Sequence, residues 1–131
     1  MKQPKPAERP RSRVLVVEDD PATSRAMRLL LQHHGYDVQV CSTIAESMNY
    51  LGSAPDFVLL DLMLPDGDGA RVLEHIRKNG LRSEVVVVTG VTEPAWHKRV
   101  ERLHPRQVLR KPVNVGEILS GLGNPGVIGS A

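Results

Sequence analysis

The sequence is poor in cysteine, aromatic residues and long apolar runs, and each shortage excludes a class of protein. Cys41 is the only cysteine among the 131 residues, so neither an internal disulfide nor a cysteine-based metal site is available. Aromatic residues make up 3% of the chain, which is too few for a nucleic-acid surface built on stacked bases. No apolar stretch approaches the length that crosses a bilayer, so we expect no membrane insertion.

The charged residues are distributed unevenly. The formal net charge is +2, but five basic residues and one acidic residue fall within the first thirteen positions, which leaves the remainder at −2. We expect a disordered, basic, proline-rich tail over residues 1–12, one domain over residues 13–122, and a glycine-rich tail or linker stub over residues 123–131. The N-terminus lacks the apolar segment of a signal peptide, and the composition favours a cytoplasmic protein that does not bind nucleic acid.

Short apolar runs alternate with amphipathic stretches throughout the predicted domain. The five predicted strands cover residues 13–17, 37–41, 57–61, 84–88 and 107–110. Because each strand is followed by a stretch with helical spacing, the strands must be parallel with right-handed crossovers, which gives a three-layer α/β sandwich. The second strand alternates polar and apolar residues, and this pattern favours a place at the edge of the sheet.

Polar residues stand where the predicted helices begin. The predicted caps of the first four helices are Asp20, Thr43, Asp68 and Thr92. Thr43 and Glu46 have the spacing of a capping box, and Asp66 is assigned to a turn. The last helix opens at Asn114 and is short. These assignments fix where each loop between a strand and a helix ends.

The carboxyl ends of the predicted strands carry polar residues of different kinds. Glu18 and Asp19 follow the first strand, Asp61 ends the third, and Thr89 and Lys111 follow the fourth and fifth. Because these ends lie at one edge of a parallel sheet, the five side chains converge. Grouped carboxylates repel one another, and oxygen ligands without histidine or cysteine favour Mg²⁺ as the cation that relieves the repulsion. A hydroxyl and an ammonium beside them suit a phosphoryl group, which an aspartate can accept as nucleophile.

Four motifs in this order carry a resemblance to a known family. They are VVEDD (16–20), LLDLMLPDGDG (59–69), VVVVTG (85–90) and RKP (110–112). Together they resemble the receiver domain of bacterial two-component response regulators over roughly residues 13–122. The resemblance implies a flavodoxin-like fold, with a five-stranded parallel sheet of order 2-1-3-4-5 and five helices. It also implies a phosphoacceptor that is charged by a histidine kinase or phosphotransfer protein and then alters a surface for a downstream protein partner.

The resemblance assigns roles to the residues that match the motifs. It implies that Asp61 is the phosphorylated aspartate and that Thr89 and Lys111 contact the phosphoryl group. It makes the Lys111–Pro112 peptide bond a candidate for the cis form. A protein of this kind catalyses only its own phosphorylation and dephosphorylation, so we do not expect an enzyme acting on an external metabolite.

The resemblance also implies a Mg²⁺ site. Asp19 and Asp61 would bind the cation, and Glu18 would assist through a water molecule. Met63 would contribute only its backbone carbonyl.

Two other functions stay open on the sequence alone. Many receivers have an aromatic residue three positions before the lysine, and Val108 stands there, which suits a phosphorylation-independent binding module on the same fold. A phosphohydrolase of the haloacid dehalogenase type would need a second aspartate where Met63 stands. On the fourth helix, Lys98, Arg99 and Arg102 form a basic face, for which we hypothesise an acidic partner.

Overall fold

The computed structural model describes residues 11–123, so the predicted tails (residues 1–12 and 123–131) lie outside the described residues except for residues 11, 12 and 123. The strands are β1 (Arg13–Val17), β2 (Asp37–Cys41), β3 (Phe57–Asp61), β4 (Met63–Leu64), β5 (Gly67–Asp68), β6 (Glu84–Thr89) and β7 (Gln107–Arg110). The helices are α1 (Pro21–His33), α2 (Ile44–Leu51), α3 (Ala70–Lys78), α4 (Pro94–Glu101) and α5 (Val115–Gly121). The five predicted strand-helix pairs are therefore all present.

Five of the strands form one parallel sheet in the order β2-β1-β3-β6-β7. Counted along the chain, this is the expected order 2-1-3-4-5, and β2 lies at an edge as its alternating pattern indicated. The prediction of a flavodoxin-like α/β sandwich is confirmed. The short strands β4 and β5 pair antiparallel with each other in a separate hairpin just after Asp61, which the sequence reasoning did not foresee.

Alternate side chains of the central strands pack against two different layers of helices. In β1, Leu15 and Val17 join a core with buried residues of α2, α3 and α4, whereas Val14 and Val16 join one with α1 and α5. The strands β3 and β6 are likewise buried on both faces, which explains their unbroken apolar runs. This burial fixes the register of the strands and hence the position of the polar residues at their ends.

The predicted caps of the first two helices are present, with one change. The Asp20 carboxylate accepts the backbone N–H of Thr23 at 2.9 Å, and the Thr43 hydroxyl accepts that of Glu46 at 3.0 Å. The Glu46 carboxylate accepts the N–H of Ser42 at 3.1 Å, one residue earlier than a capping box requires. A reciprocal capping box occurs instead at α5, where Asn114 and Glu117 bond to each other's backbone N–H.

The predicted caps of α3 and α4 are wrong by one residue. Gly69 is at the N-cap of α3, because Asp68 is engaged in β5, and the Asp68 carboxylate accepts the N–H of Ala70 at 2.9 Å. Glu93, not Thr92, precedes α4 in extended conformation and makes no side-chain cap bond. Pro94 explains this shift, since proline favours the first helical position and an extended residue before it.

The single cysteine lies inside the fold, and the helices are short. Cys41 is buried at the end of β2, and this burial raises the pKa of its thiol to about 12. Among the described helices, none combines the length and apolar character that crossing a bilayer would require.

Candidate functional site

The sheet brings the polar strand ends together as predicted. The strand β1 lies between β2 and β3, and β6 lies between β3 and β7, so the ends of β1, β3, β6 and β7 are adjacent. One carboxylate oxygen from each of Glu18, Asp19 and Asp61 lies within 4.8 Å of the other two. Glu18 and Asp61 are buried, at 3% and 5% exposure, whereas Asp19 is exposed. The three acids therefore form one cluster that is open to solvent on the side of Asp19.

Lys111 supplies the positive charge of the cluster. Its ammonium donates to Asp61 Oδ2 at 3.2 Å and to Glu18 Oε1 at 3.4 Å. Burial disfavours the charged ammonium, but the hydrogen bonds and charges of Asp61 and Glu18 outweigh it and raise the pKa of Lys111. The lysine therefore stays protonated and bridges the two buried carboxylates. The Lys111–Pro112 peptide bond is cis, as the resemblance implied.

Glu18 is the carboxyl group of the cluster whose charged form is disfavoured. Burial, with a smaller contribution from the nearby charge of Asp61, raises the pKa of the Glu18 carboxyl to about 6. The backbone N–H of Asp20, which donates to Glu18 Oε2 at 3.2 Å, and the Lys111 ammonium oppose that rise. The Asp20 hydrogen bond and the single Lys111 cation thus do not fully offset the cost of burying the charged Glu18 carboxylate.

The backbone around Asp61 is held on both sides. The N–H of Met63 donates to Asp61 Oδ1 at 3.1 Å, while the Met63 side chain is 65% exposed. On the other side, the N–H of Gly69 donates to the Leu62 carbonyl at 2.8 Å. A Cβ at Gly69 would overlap the Asp61 carbonyl oxygen and lie 2.8 Å from Leu62 Cα, so only glycine fits this approach. Sequence reasoning missed this role, because Gly69 reads simply as part of a turn.

Thr89 lies at the end of β6 and is fully buried. Its hydroxyl accepts the N–H of Val91 at 2.9 Å, and its carbonyl accepts the N–H of Lys111 at 2.8 Å. Within the described residues, the structure records no direct hydrogen bond from the Thr89 hydroxyl to Asp61 or to the Lys111 ammonium. The geometry thus brings Thr89 to the correct edge but engages its hydroxyl with the following loop.

Two further contacts anchor the loops of this edge. The Nε2 atom of His97 in α4 lies 2.7 Å from the Val91 carbonyl, so the loop that follows Thr89 is tied to α4. The Asp66 carboxylate accepts the N–H groups of Ile44 and Ala45 at the start of α2, at 2.9 and 3.0 Å. The assignment of Asp66 to a turn is therefore incomplete. Nothing in the local sequence signals a bond across 22 residues.

On the α4 face, Arg99 has an acidic partner in the hairpin. The Arg99 guanidinium forms an ion pair with the partly exposed carboxylate of Asp68. Trp96 is half-buried and packs against the core beneath this helix. Val108 is also half-buried and packs in the same core. Lys98 and Arg102 are exposed.

Comparisons with known proteins agree with this arrangement. The transcriptional regulatory protein DltR of Streptococcus agalactiae is 31% identical over 109 residues, covering 82% of this chain and 49% of that protein. The virulence transcriptional regulatory protein PhoP of Salmonella typhimurium is 31% identical over 111 residues, with the same two shares. The chain thus spans about half the length of these curated relatives.

Solved structures give the same result for the fold. A CheY-like response regulator receiver domain protein from Methanospirillum hungatei has a TM-score of 0.82 and 25% identity, covering 87% of this chain and 92% of that one. The signal receiver domain of a Luxo repressor protein from Vibrio parahaemolyticus has a TM-score of 0.81 and 25% identity, covering 86% and 88%. Residues 14–122 match the family of response regulator receiver domains. The chain therefore belongs to this family, the phosphoacceptor modules of two-component signal transduction.

Proposed function

We propose that Asp61 receives the phosphoryl group, from a histidine kinase or a histidine phosphotransfer protein. The observation that carries the proposal is the buried Asp61 carboxylate, which lies 3.2 Å from the Lys111 ammonium at the edge where four strand ends meet. Asp19 beside it is exposed, so the cluster is accessible from solvent. A sheltered carboxylate with a fixed cation beside it suits a nucleophile that must carry added negative charge.

The same cluster suits Mg²⁺. Three carboxylates whose oxygens lie within 4.8 Å of one another, with a raised pKa at Glu18, favour a hard divalent cation with oxygen ligands. We propose that Asp19 and Asp61 bind Mg²⁺ directly, that the Met63 carbonyl completes the protein ligands, and that Glu18 acts through water. When bound, Mg²⁺ would neutralise charge on the phosphoryl oxygens.

Asp61, Lys111 and Thr89 have separate roles in the transfer of the phosphoryl group. A carboxylate oxygen of Asp61 forms a bond to phosphorus while the phosphorus–nitrogen bond of the donor phosphohistidine breaks, and the electron pair of that bond remains on the imidazole nitrogen. Lys111, already 3.2 Å from Asp61, offers its ammonium to the transferred oxygens, and the Thr89 hydroxyl supplies a further donor. Positioning and charge neutralisation account for this kind of transfer, so no further catalytic group is needed.

The partners and the extent of the functional unit belong to the same proposal. We propose that residues 13–122 act as the receiver, that it works in the cytoplasm beside its kinase, and that it turns over no external metabolite. The curated relatives are transcriptional regulators twice as long as the matched region. The low aromatic content of this chain supports output through a protein partner rather than through its own contact with nucleic acid.

Intact mass spectrometry tests the phosphoacceptor. The full chain is incubated with acetyl phosphate, with and without Mg²⁺, as wild type, Asp61→Asn and Asp20→Asn. We expect the wild type and Asp20→Asn to gain one phosphoryl group only with Mg²⁺, and Asp61→Asn to gain none. Asp20 is the matched control, because its exposed carboxylate caps α1 and asparagine is an equally good cap.

Two results would contradict the proposal. Equal phosphorylation of Asp61→Asn would place the acceptor elsewhere. A folded wild type that gains no mass, with acetyl phosphate or with purified histidine kinases, would favour the phosphorylation-independent binding module.

A further inference from the structure

The hairpin that follows Asp61 is too small to hold its own position. It consists of two residue pairs, Met63 with Asp68 and Leu64 with Gly67. An isolated two-stranded hairpin is marginal in water even when it is longer than this. The conformation of Met63, next to the acid cluster, must therefore depend on what anchors the hairpin to the rest of the fold.

The anchor on one side of the hairpin is the Asp66 carboxylate. Both of its oxygens are used, Oδ1 by the N–H of Ile44 at 2.9 Å and Oδ2 by the N–H of Ala45 at 3.0 Å. These are the first two free N–H groups of α2, and the third, on Glu46, bonds to the Thr43 hydroxyl. The bonds to Ile44 and Ala45 lower the pKa of Asp66, so the carboxylate stays charged at the positive end of the helix.

The anchor on the other side is weaker. Asp68 forms an ion pair with Arg99, but the two side chains are 35% and 52% exposed. An ion pair this exposed contributes little to stability in water. The Asp68 bond to the N–H of Ala70 and the Gly69 bond to the Leu62 carbonyl hold the base of the hairpin. Asp66, although exposed, makes two hydrogen bonds to backbone N–H groups of α2, and these are the main polar restraint on the turn itself.

We propose that Asp66 is a positioning residue of the cation site: it fixes the hairpin to α2 and thereby fixes the Met63 backbone that faces the cluster. The inference rests on the proposed function, in which the Met63 carbonyl is a Mg²⁺ ligand. The N–H of the same Met63 bonds to Asp61 Oδ1 at 3.1 Å, so displacement of the hairpin also removes one hydrogen bond from the acceptor carboxylate and leaves the one from Lys111. Asp66 acts through Met63 and does not touch the cation.

The test compares variants of the full chain by Mg²⁺ titration, followed through the backbone amide NMR signals of residues 61–64, and by thermal unfolding without Mg²⁺. Asp66→Ala removes the anchor. Thr43→Ala removes a cap from the same end of α2 and leaves the hairpin bonds in place. Glu46→Gln removes one carboxylate charge near the cluster without touching the hairpin. Asp66→Asn keeps one acceptor oxygen.

We expect Asp66→Ala to weaken Mg²⁺ binding about tenfold, as is typical when a group that orients a metal ligand is lost. Asp66→Asn should lie between Asp66→Ala and the wild type. Thr43→Ala should lower the unfolding temperature by about as much as Asp66→Ala does, but it should keep the Mg²⁺ affinity of the wild type. Glu46→Gln should weaken binding less than Asp66→Ala does.

The alternative outcomes are distinct. If Asp66→Ala binds Mg²⁺ as tightly as the wild type, or if Thr43→Ala weakens binding equally, Asp66 merely stabilises the fold and the inference is wrong. If the wild type itself shows no Mg²⁺ response at residues 61–64, the proposed cation site fails and the inference fails with it.

Discussion

The middle of the sheet and its carboxyl edge are built from opposite kinds of residue, although a single strand contributes to both. In β6, residues 85–88 are four valines that are buried on both faces of the sheet, and Thr89 follows them. In β3, Leu59 and Leu60 lead directly to Asp61. The residues of the interior contribute only apolar packing, whereas the residues of the edge include buried charges and carboxylates that lie close to one another. We expect changes in the interior to cost stability and changes at the edge to cost function.

The largest effect on stability should come from the interior. Leu60 is fully buried in the core with α2 and α3, one residue before Asp61. Leu60→Ala should lower the free energy of unfolding by about 2–5 kcal/mol, because it removes apolar contacts and leaves a cavity. The exposed Leu29→Ala is the control and should change it by about 0.5 kcal/mol or less. Urea denaturation measures both, and equal losses would contradict a division between packing and surface.

Packing of this kind is also what made the fold predictable. Apolar runs bounded by turns identified β3 and β6 because both faces of these strands are buried. Once the strands were parallel, the convergence of Glu18, Asp61 and Lys111 followed from topology alone. The main features of the candidate site were therefore accessible from short motifs that are far apart in the chain.

The missed features are contacts between loops. Asp66 bonds to the start of α2, and Gly69 approaches the backbone of Asp61 so closely that a side chain would not fit. Neither contact has a periodicity or a spacing that a sequence pattern could reveal, because each depends on how two finished elements meet. Glu93 differs, since Pro94 at the next position is a local signal for the start of α4.

Two substitutions in β6 exchange valine and threonine, which have nearly the same shape, one in the interior and one at the edge. Their effects on stability should be smaller than that of Leu60→Ala. Val87→Thr places a hydroxyl in the apolar interior and should cost about 1–3 kcal/mol of unfolding free energy. Thr89→Val removes the hydroxyl that accepts the Val91 N–H and should cost about 1 kcal/mol. Phosphorylation from acetyl phosphate should show the reverse order, since Thr89→Val removes a donor to the phosphoryl group. A Thr89→Val protein phosphorylated at the wild-type rate would remove Thr89 from the site.

The smallest effect, a gain in stability, should come from Glu18, the most deeply buried carboxylate of the edge. The pKa of the Glu18 carboxyl is raised from its usual 4.5 to about 6, so the folded protein keeps this proton over a range in which the unfolded chain has lost it. The free energy of unfolding therefore falls as the pH rises from about 4.5 to 6, by about 2 kcal/mol at most. Glu18→Gln cannot ionise and should avoid that loss. Without Mg²⁺ at pH 7, we expect it to be about 1 kcal/mol more stable than the wild type.

The pH profile and the response to Mg²⁺ separate this effect from a general gain in stability. Near pH 4.5 the difference between Glu18→Gln and the wild type should shrink, whereas Glu84→Gln, an exposed control paired with Arg106, should track the wild type throughout. Adding Mg²⁺ should stabilise the wild type more than Glu18→Gln. A cation that binds only the folded state raises the free energy of unfolding, and it does so more strongly where its affinity is higher. A Glu18→Gln protein that is less stable than the wild type at pH 7 without Mg²⁺ would mean that Lys111 fully offsets the buried charge. The edge would then be a satisfied ion-pair network, with no electrostatic cost for a bound cation to relieve.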